Sequence, residues 1–205
     1  MPRFLRYEVH PLNPQSRFLQ YVARQIQAGD VAAVPTAAGY GLVCRLDDKS
    51  ATDRLCRCAE MDRAPVALIY RDLAQAATYL HVDDRAFRAI RDAGDGTTAF
   101  VLRSTRRVPK RLASVVGGAS VLHFGGHVAV QRLLDLLDEA LLIALPEAVA
   151  ESVDDLPANW QGALDVALDA GPLPAARPVR VVDLHGLLQA RPSLSRWAGA
   201  AQAQA

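Results

Sequence analysis

The chain has 205 residues, 51% of them hydrophobic, and a formal net charge of +1. That length and apolar content suit one compact domain with a sizeable core, here residues 1–190, followed by a tail at 191–205. A balance so near neutrality excludes a partner selected by overall charge. With no bilayer-length apolar run in the sequence, we expect a cytoplasmic protein with no membrane partner.

In chain order, Asn13 is placed to cap a first helix with Pro14 at its first position, and Phe18, Leu19, Val22 and Ile26 share one face before Gly29. Residues 31–34 predict a buried strand and 42–46 the strand after a small-residue loop. Ser50-x-x-Asp53 predicts the start of a second helix. A strand at 66–70 precedes a short helix near 73–78, and Asp83 or Asp84 caps a helix running through Ala93. Strands follow at 97–103 and 121–124, then a helix at 128–137 with leucines at helical spacing and a buried run at 141–145. Segments 163–168 and 179–184 close the sheet across a proline-rich loop. Alternating helices and strands make this an α/β fold. Cys44, Cys56 and Cys58 contain no CxxC pair and read as free thiols of a reducing compartment.

The segment Val-Ala-Ala-Val-Pro-Thr-Ala-Ala-Gly-Tyr-Gly-Leu-Val-Cys (31–44) carries the most information. Pro35 suits a strand end, Gly39 and Gly41 let backbone approach a ligand, and Thr36 offers a hydroxyl. The stretch resembles the PT-D-(S/T)-x-YGL element of the YrdC/YciO family, the threonylcarbamoyl-AMP synthase superfamily, with Ala37 in place of the aspartate. The resemblance to the YciO branch extends through His10-Pro11-Leu12-Asn13-Pro14-Gln15-Ser16-Arg17, Leu55-Cys56-Arg57, Tyr70-Arg71-Asp72-Leu73 and Val108-Pro109-Lys110-Arg111-Leu112. It implies a YrdC-like twisted mixed sheet with surrounding helices and a concave basic surface. The activity it implies joins threonine, bicarbonate and ATP (with Mg) into threonylcarbamoyl-AMP, in the service of tRNA modification.

That chemistry needs cations against the triphosphate and the carbamate. The family's Lys-x-Arg element falls either on Ala59 and Met61 or, one shift along, on Met61-Asp62-Arg63, which keeps Arg63. The glycine-led strand PGPxTFIL falls on residues 94–102, with Thr98 near the family threonine. The Arg-Val-Pro element falls on Leu122-His123-Phe124-Gly125, and the STSAN element on residues 142–147, ending in Glu147. Near the end, Arg196 with Gly199 matches Arg-x-Gly. A histidine does not replace the arginine fork, and a carboxylate repels phosphate. His123 and His127 are four apart but have no third ligand nearby, so we assign no metal. The substrate-binding set expected from the resemblance is Thr36, Tyr40, Arg63, Thr98, His123 and Arg196. A cavity more apolar than the family's is expected beside Thr36 and Tyr40.

Arg103, Arg106, Arg107, Lys110 and Arg111 form the densest basic cluster, fitted to the phosphate backbone of tRNA or another double-stranded RNA, or else to a solvated face. Three functions stay open. They are a divergent nucleotide- or RNA-binding protein without full synthase activity, an active synthase with a rearranged site, and a non-catalytic interaction protein.

Overall fold

A computed structural model describes residues 4–61, 66–93, 96–110, 112, 119–123 and 125–184. Nine strands form one mixed sheet: β1 (Leu5–Glu8), β2 (Ala32–Thr36), β3 (Gly39–Arg45), β4 (Val66–Ile69), β5 (Thr98–Arg103), β6 (Ala119–His123), β7 (Leu141–Ala144), β8 (Val166–Asp169) and β9 (Arg180–Asp183). Their order across the sheet is β1-β8-β2-β3-β7-β4-β6-β5-β9. The pairs β1–β8, β2–β8, β4–β6 and β5–β9 are parallel, and the others are antiparallel.

The α-helices whose residues are all described are α1 (Ser16–Gln27), α2 (Lys49–Met61), α3 (Leu73–Tyr79), α4 (Asp84–Asp92), α5 (Val128–Leu137) and the short α6 (Ala158–Gln161). Alternate strand residues feed two apolar clusters. Ala32, Val34, Val43 and Ile143 pack with Leu19, Val22 and Ile26 of α1 and Val130, Leu133 and Leu134 of α5. Ala33, Leu42, Cys44 and Leu142 pack with Leu55 of α2, Ala76 of α3, Ile90 of α4 and Trp160 of α6. Both faces are covered, which is why the central strands are continuous apolar runs rather than alternating ones. Among the described residues no helix is long and apolar enough to cross a membrane.

The predicted elements are found with local shifts. The first helix begins at Ser16, behind Gln15 rather than Asn13. His10 Nδ1 accepts the Leu12 and Asn13 amides at 3.2 and 3.1 Å, which makes 10–13 a turn, and the Asn13 side chain accepts from Arg132 instead of capping. The second helix is capped by Asp48, whose carboxylate accepts the Ala51 amide at 2.8 Å, so Ser50 lies inside it. Segment 163–168 contributes strand only from Val166. β1 is an edge strand with three of four residues exposed, anchored by Tyr7 against Phe18 and Tyr21 at centroid distances of 5.4 and 4.9 Å. Asp83 caps α4 as expected, accepting the Ala86 amide at 2.8 Å. The tail at 191–205 lies outside the described residues.

The two faces of α5 set an expectation. Leu133 is fully buried between α5, α1 and the sheet, while Leu136 is 44% exposed. Leu133→Ala should lower unfolding free energy by about 2–5 kcal/mol and Leu136→Ala by no more than about 0.5 kcal/mol, measured by urea denaturation.

Candidate functional site

The β2–β3 hairpin turns through Ala37 and Ala38. Thr36, 1% exposed, donates its hydroxyl to the Gly39 carbonyl at 2.7 Å and accepts the Ala38 amide at 3.0 Å. Both bonds lie within the turn, so the side chain shapes the loop. Gly39 has φ +97°, and a Cβ there would stand 2.7 Å from the Ala150 carbonyl, so only glycine fits. The Tyr40 amide bonds the same carbonyl at 2.8 Å. The Tyr40 ring is fully buried. Its oxygen accepts the Ala170 amide at 2.9 Å and faces the Gly171 carbonyl at 2.8 Å and the Asp169 carboxylate at 3.1 Å. Burial, reinforced by Asp169, pushes this phenol far above its ordinary range, so it stays neutral. Arg6 pairs with Asp169 at 2.7 Å and ties the network to β1.

The hairpin tip meets the far half of the sheet. The Ala37 amide donates to the Gly125 carbonyl at 2.6 Å, and the Arg177 amide donates to the Ala37 carbonyl at 3.0 Å. Gly96 has φ +74°, and a Cβ there would lie 2.6 Å from Gly126 Cα and 3.2 Å from Ala37 Cβ. Thr98, 2% exposed, receives an Arg180 N–H at 3.5 Å. The loop at 36–40, the strand start at 96–98, the junction at 123–127 and the approach to β9 therefore share one place. The segment after β7 bounds it on another side, where Leu145 presses on Gly41. Beside it, Glu147 and Asp155 share a cleft of about 430 Å³ with Pro146 and Pro157. Two carboxylates there disfavour an anion.

His123 ends β6 opposite Ile69, next to this junction. His127 caps α5, its Nδ1 accepting the Ala129 amide at 3.1 Å. Among the described residues no group of three or more His, Cys, Asp or Glu is placed to hold a metal. Arg63, Arg111 and Arg196 lie outside the described residues. Thr36 and Tyr40 are buried. A cleft of about 480 Å³ is lined by Gly96 and Gly126 together with residues of α3, α4 and α5.

Arg103, Arg106, Arg107 and Lys110 are exposed on the end of β5 and the turn beyond it, while the interleaved Val108 and Leu112 are buried at 3% and 4% exposure. Thr105 locks this turn. Its hydroxyl donates to the Thr78 carbonyl at 2.9 Å and accepts the Arg107 amide at 3.2 Å. The Arg107 guanidinium stands 6.0 Å from the Tyr79 ring centre. Sequence reasoning noted Arg180 only as standing where the family has a hydroxyl, without placing it beside Thr98, and did not assign Arg71, Arg91 or Phe87 around the glycine cleft to a site. The Tyr70-Arg71-Asp72-Leu73 motif was the available signal for the second group.

A family model for Sua5, YciO and YrdC proteins, described as telomere recombination, matches residues 24–196. YciO of Escherichia coli K12 is 30% identical over 184 residues, covering 87% of this chain and 89% of that protein. The crystal structure of E. coli YciO superimposes with a TM-score of 0.78, covering 90% of this chain and 91% of its own. Sua5 of P. abyssi, solved with L-threonine, has a TM-score of 0.76 at 18% identity, over 88% of this chain and 54% of that one.

Two expectations follow. Tyr40→Phe should cost about 1–3 kcal/mol, because the Ala170 amide loses its acceptor at a buried position; an unchanged thermal midpoint would refute this. Burial holds the His127 imidazole below its ordinary value of about 6.5, and Nδ1 must stay unprotonated to accept from Ala129. The folded chain thus binds this proton less readily than the unfolded one. The stabilisation is present above the unfolded value and is lost as pH falls through the lower folded value. Urea midpoints should drop between about pH 7.5 and 5.5, and His127→Asn, which keeps a capping acceptor, should flatten that drop.

Proposed function

The chain belongs to the Sua5/YciO/YrdC family, and within it we propose a protein that binds the phosphate backbone of double-stranded RNA and does not synthesise threonylcarbamoyl-AMP. One observation carries this reading. Arg6, Arg45, Arg54 and Arg71 each lie against a carboxylate, whereas Arg103, Arg106, Arg107 and Lys110 cluster exposed on one turn with no carboxylate partner among the described residues. Unpaired, exposed cations on a turn held by Thr105 are suited to releasing counterions from a nucleic acid. They carry no base-reading geometry, so binding should tolerate sequence. With a net charge of only +1, any such affinity is local to this face.

Support for the lost synthase reaction comes from the site. Where the family has Arg-Val-Pro and STSAN, this chain has His123-Phe124-Gly125 and a segment ending in Glu147, beside Asp155. Removing even one transition-state donor costs about 10²–10³ in rate. A synthase with a rearranged site draws support from Arg180, whose guanidinium reaches Thr98. The same observation supports any other use of ATP at this position.

Filter binding of a short RNA duplex at low salt tests the first part. Arg106→Glu with Arg107→Glu should abolish most binding and reduce the salt slope by about 2, while Arg85→Glu with Arg88→Glu should change little. Equal effects of the two pairs, or no binding by the native chain, would refute the interface. Pyrophosphate release from ATP that requires both threonine and bicarbonate would overturn the second part and favour the rearranged site.

A further inference from the structure

The cleft of about 480 Å³ between α3, α4 and the start of α5 is of a size that takes a small molecule. It shares Gly96 and Gly126 with the hairpin junction, and its other lining residues come from α3, α4, α5 and Arg71 before α3. Its apolar wall is Leu73, Ile90 and Phe87. Ala86 and Ile90 turn the buried stripe of α4 to the core, and Phe87, off that stripe, keeps 47% of its surface exposed at the cleft. An aromatic face left in water beside a concave surface is suited to stacking a flat ring.

The polar lining narrows the ligand further. Arg71 is already matched, its guanidinium 2.9 Å from Asp72 and 2.6 Å from Asp138. Arg91 faces only its sequence neighbour Asp92, at 3.1 Å, with both side chains more than 60% exposed. Water screens such a pair, so Arg91 is the cation free to turn to a ligand. Gln131 donates its amide to the Arg71 carbonyl at 2.6 Å, which fixes the side chain and leaves its oxygen as an acceptor. Among its described lining residues the cleft thus offers one aromatic platform and one available positive charge.

We propose that this cleft binds a small aromatic monocarboxylate, with its ring against Phe87 and its carboxylate on Arg91. A phosphate dianion would need a second free cation, and Arg71 is neutralised by its carboxylates. A neutral ring would leave Arg91 unused. The inference is independent of the RNA face, which lies on the turn after β5.

Calorimetric titration of the full chain with benzoate, phenyl phosphate and benzamide tests it, with amide shifts at Gly126 and Gln131 reporting location. Benzoate should bind about fivefold or more tightly than either analogue and shift both amides. Phe87→Ala and Arg91→Gln, both at exposed positions, should each weaken benzoate about fivefold, and Arg88→Gln on the same helix should not. Absence of benzoate binding, tighter binding of phenyl phosphate, or affinity indifferent to Phe87 and Arg91 would each overturn the proposal. If both variants unfold, loss of benzoate preference over benzamide in Arg91→Met, which keeps the apolar stem and removes the charge, serves in their place. A preserved preference with unchanged affinity there would count against the arginine contact.

Discussion

The Ala37 amide meets the Gly125 carbonyl across a sheet in which their strands are not neighbours. Between β2 and β6 lie four strand steps, and at roughly 20–25° each these turn the strands through about a right angle. The Ala37–Gly125 hydrogen bond joins the loop after β2 to the junction after β6 at a corner, although the two strands run in opposite directions. Small residues permit the approach. At Gly96 any Cβ would collide with Gly126, and at Ala37 a larger side chain would enter the same space. Among the described residues, the loop at 36–40, the strand start at 96–98, the junction at 125–127 and the approach to β9 reach this corner.

What fills the corner decides the chemistry. Thr36 and Tyr40 direct their hydroxyls into turn and strand tethers, through Gly39 on one side and Asp169, Ala170 and Gly171 on the other. In the segments that the resemblance aligns with the family's ligands the sequence carries His123, alkyl residues and Glu147, and Arg180 is a cation beside Thr98. Charge is instead organised elsewhere. Carboxylates hold Arg6, Arg45, Arg54 and Arg71 as cross-links between elements, for instance Arg54 to Asp165 at 2.7 Å, joining α2 to the loop before β8. The turn after β5 has no such partners among the described residues, and its cations stay available while Val108 and Leu112 anchor it from below.

Much of the fold was legible because burial on both faces makes central strands into uninterrupted apolar runs, as at 31–34 and 141–145, and because α5 repeats leucine at helical spacing. β1 escaped notice because an edge strand of four residues, three exposed, carries no alternation. The first helix start was misplaced because Asn13 has the chemistry of a cap, but His10 takes up the turn's amides first. At the site, local motifs told which segments matter and not which atoms are free. Thr36 offers a hydroxyl in the sequence, and in three dimensions that hydroxyl bonds the Gly39 carbonyl and the Ala38 amide within its own turn. The Tyr70-Arg71-Asp72-Leu73 motif points to Arg71 but not to its charge balance, and Arg91 lies in no such motif. Only their carboxylate partners, one of them 67 positions away in sequence, separate a neutralised guanidinium from an available one.

Hydrogen exchange at the Ala37 amide tests the closure of this corner most directly, because that single N–H bonds the Gly125 carbonyl. The account predicts protection comparable to the buried β2 amides, unchanged by saturating ATP, magnesium and threonine. Rapid exchange in the free protein, or a marked change in protection when those ligands are added, would contradict it.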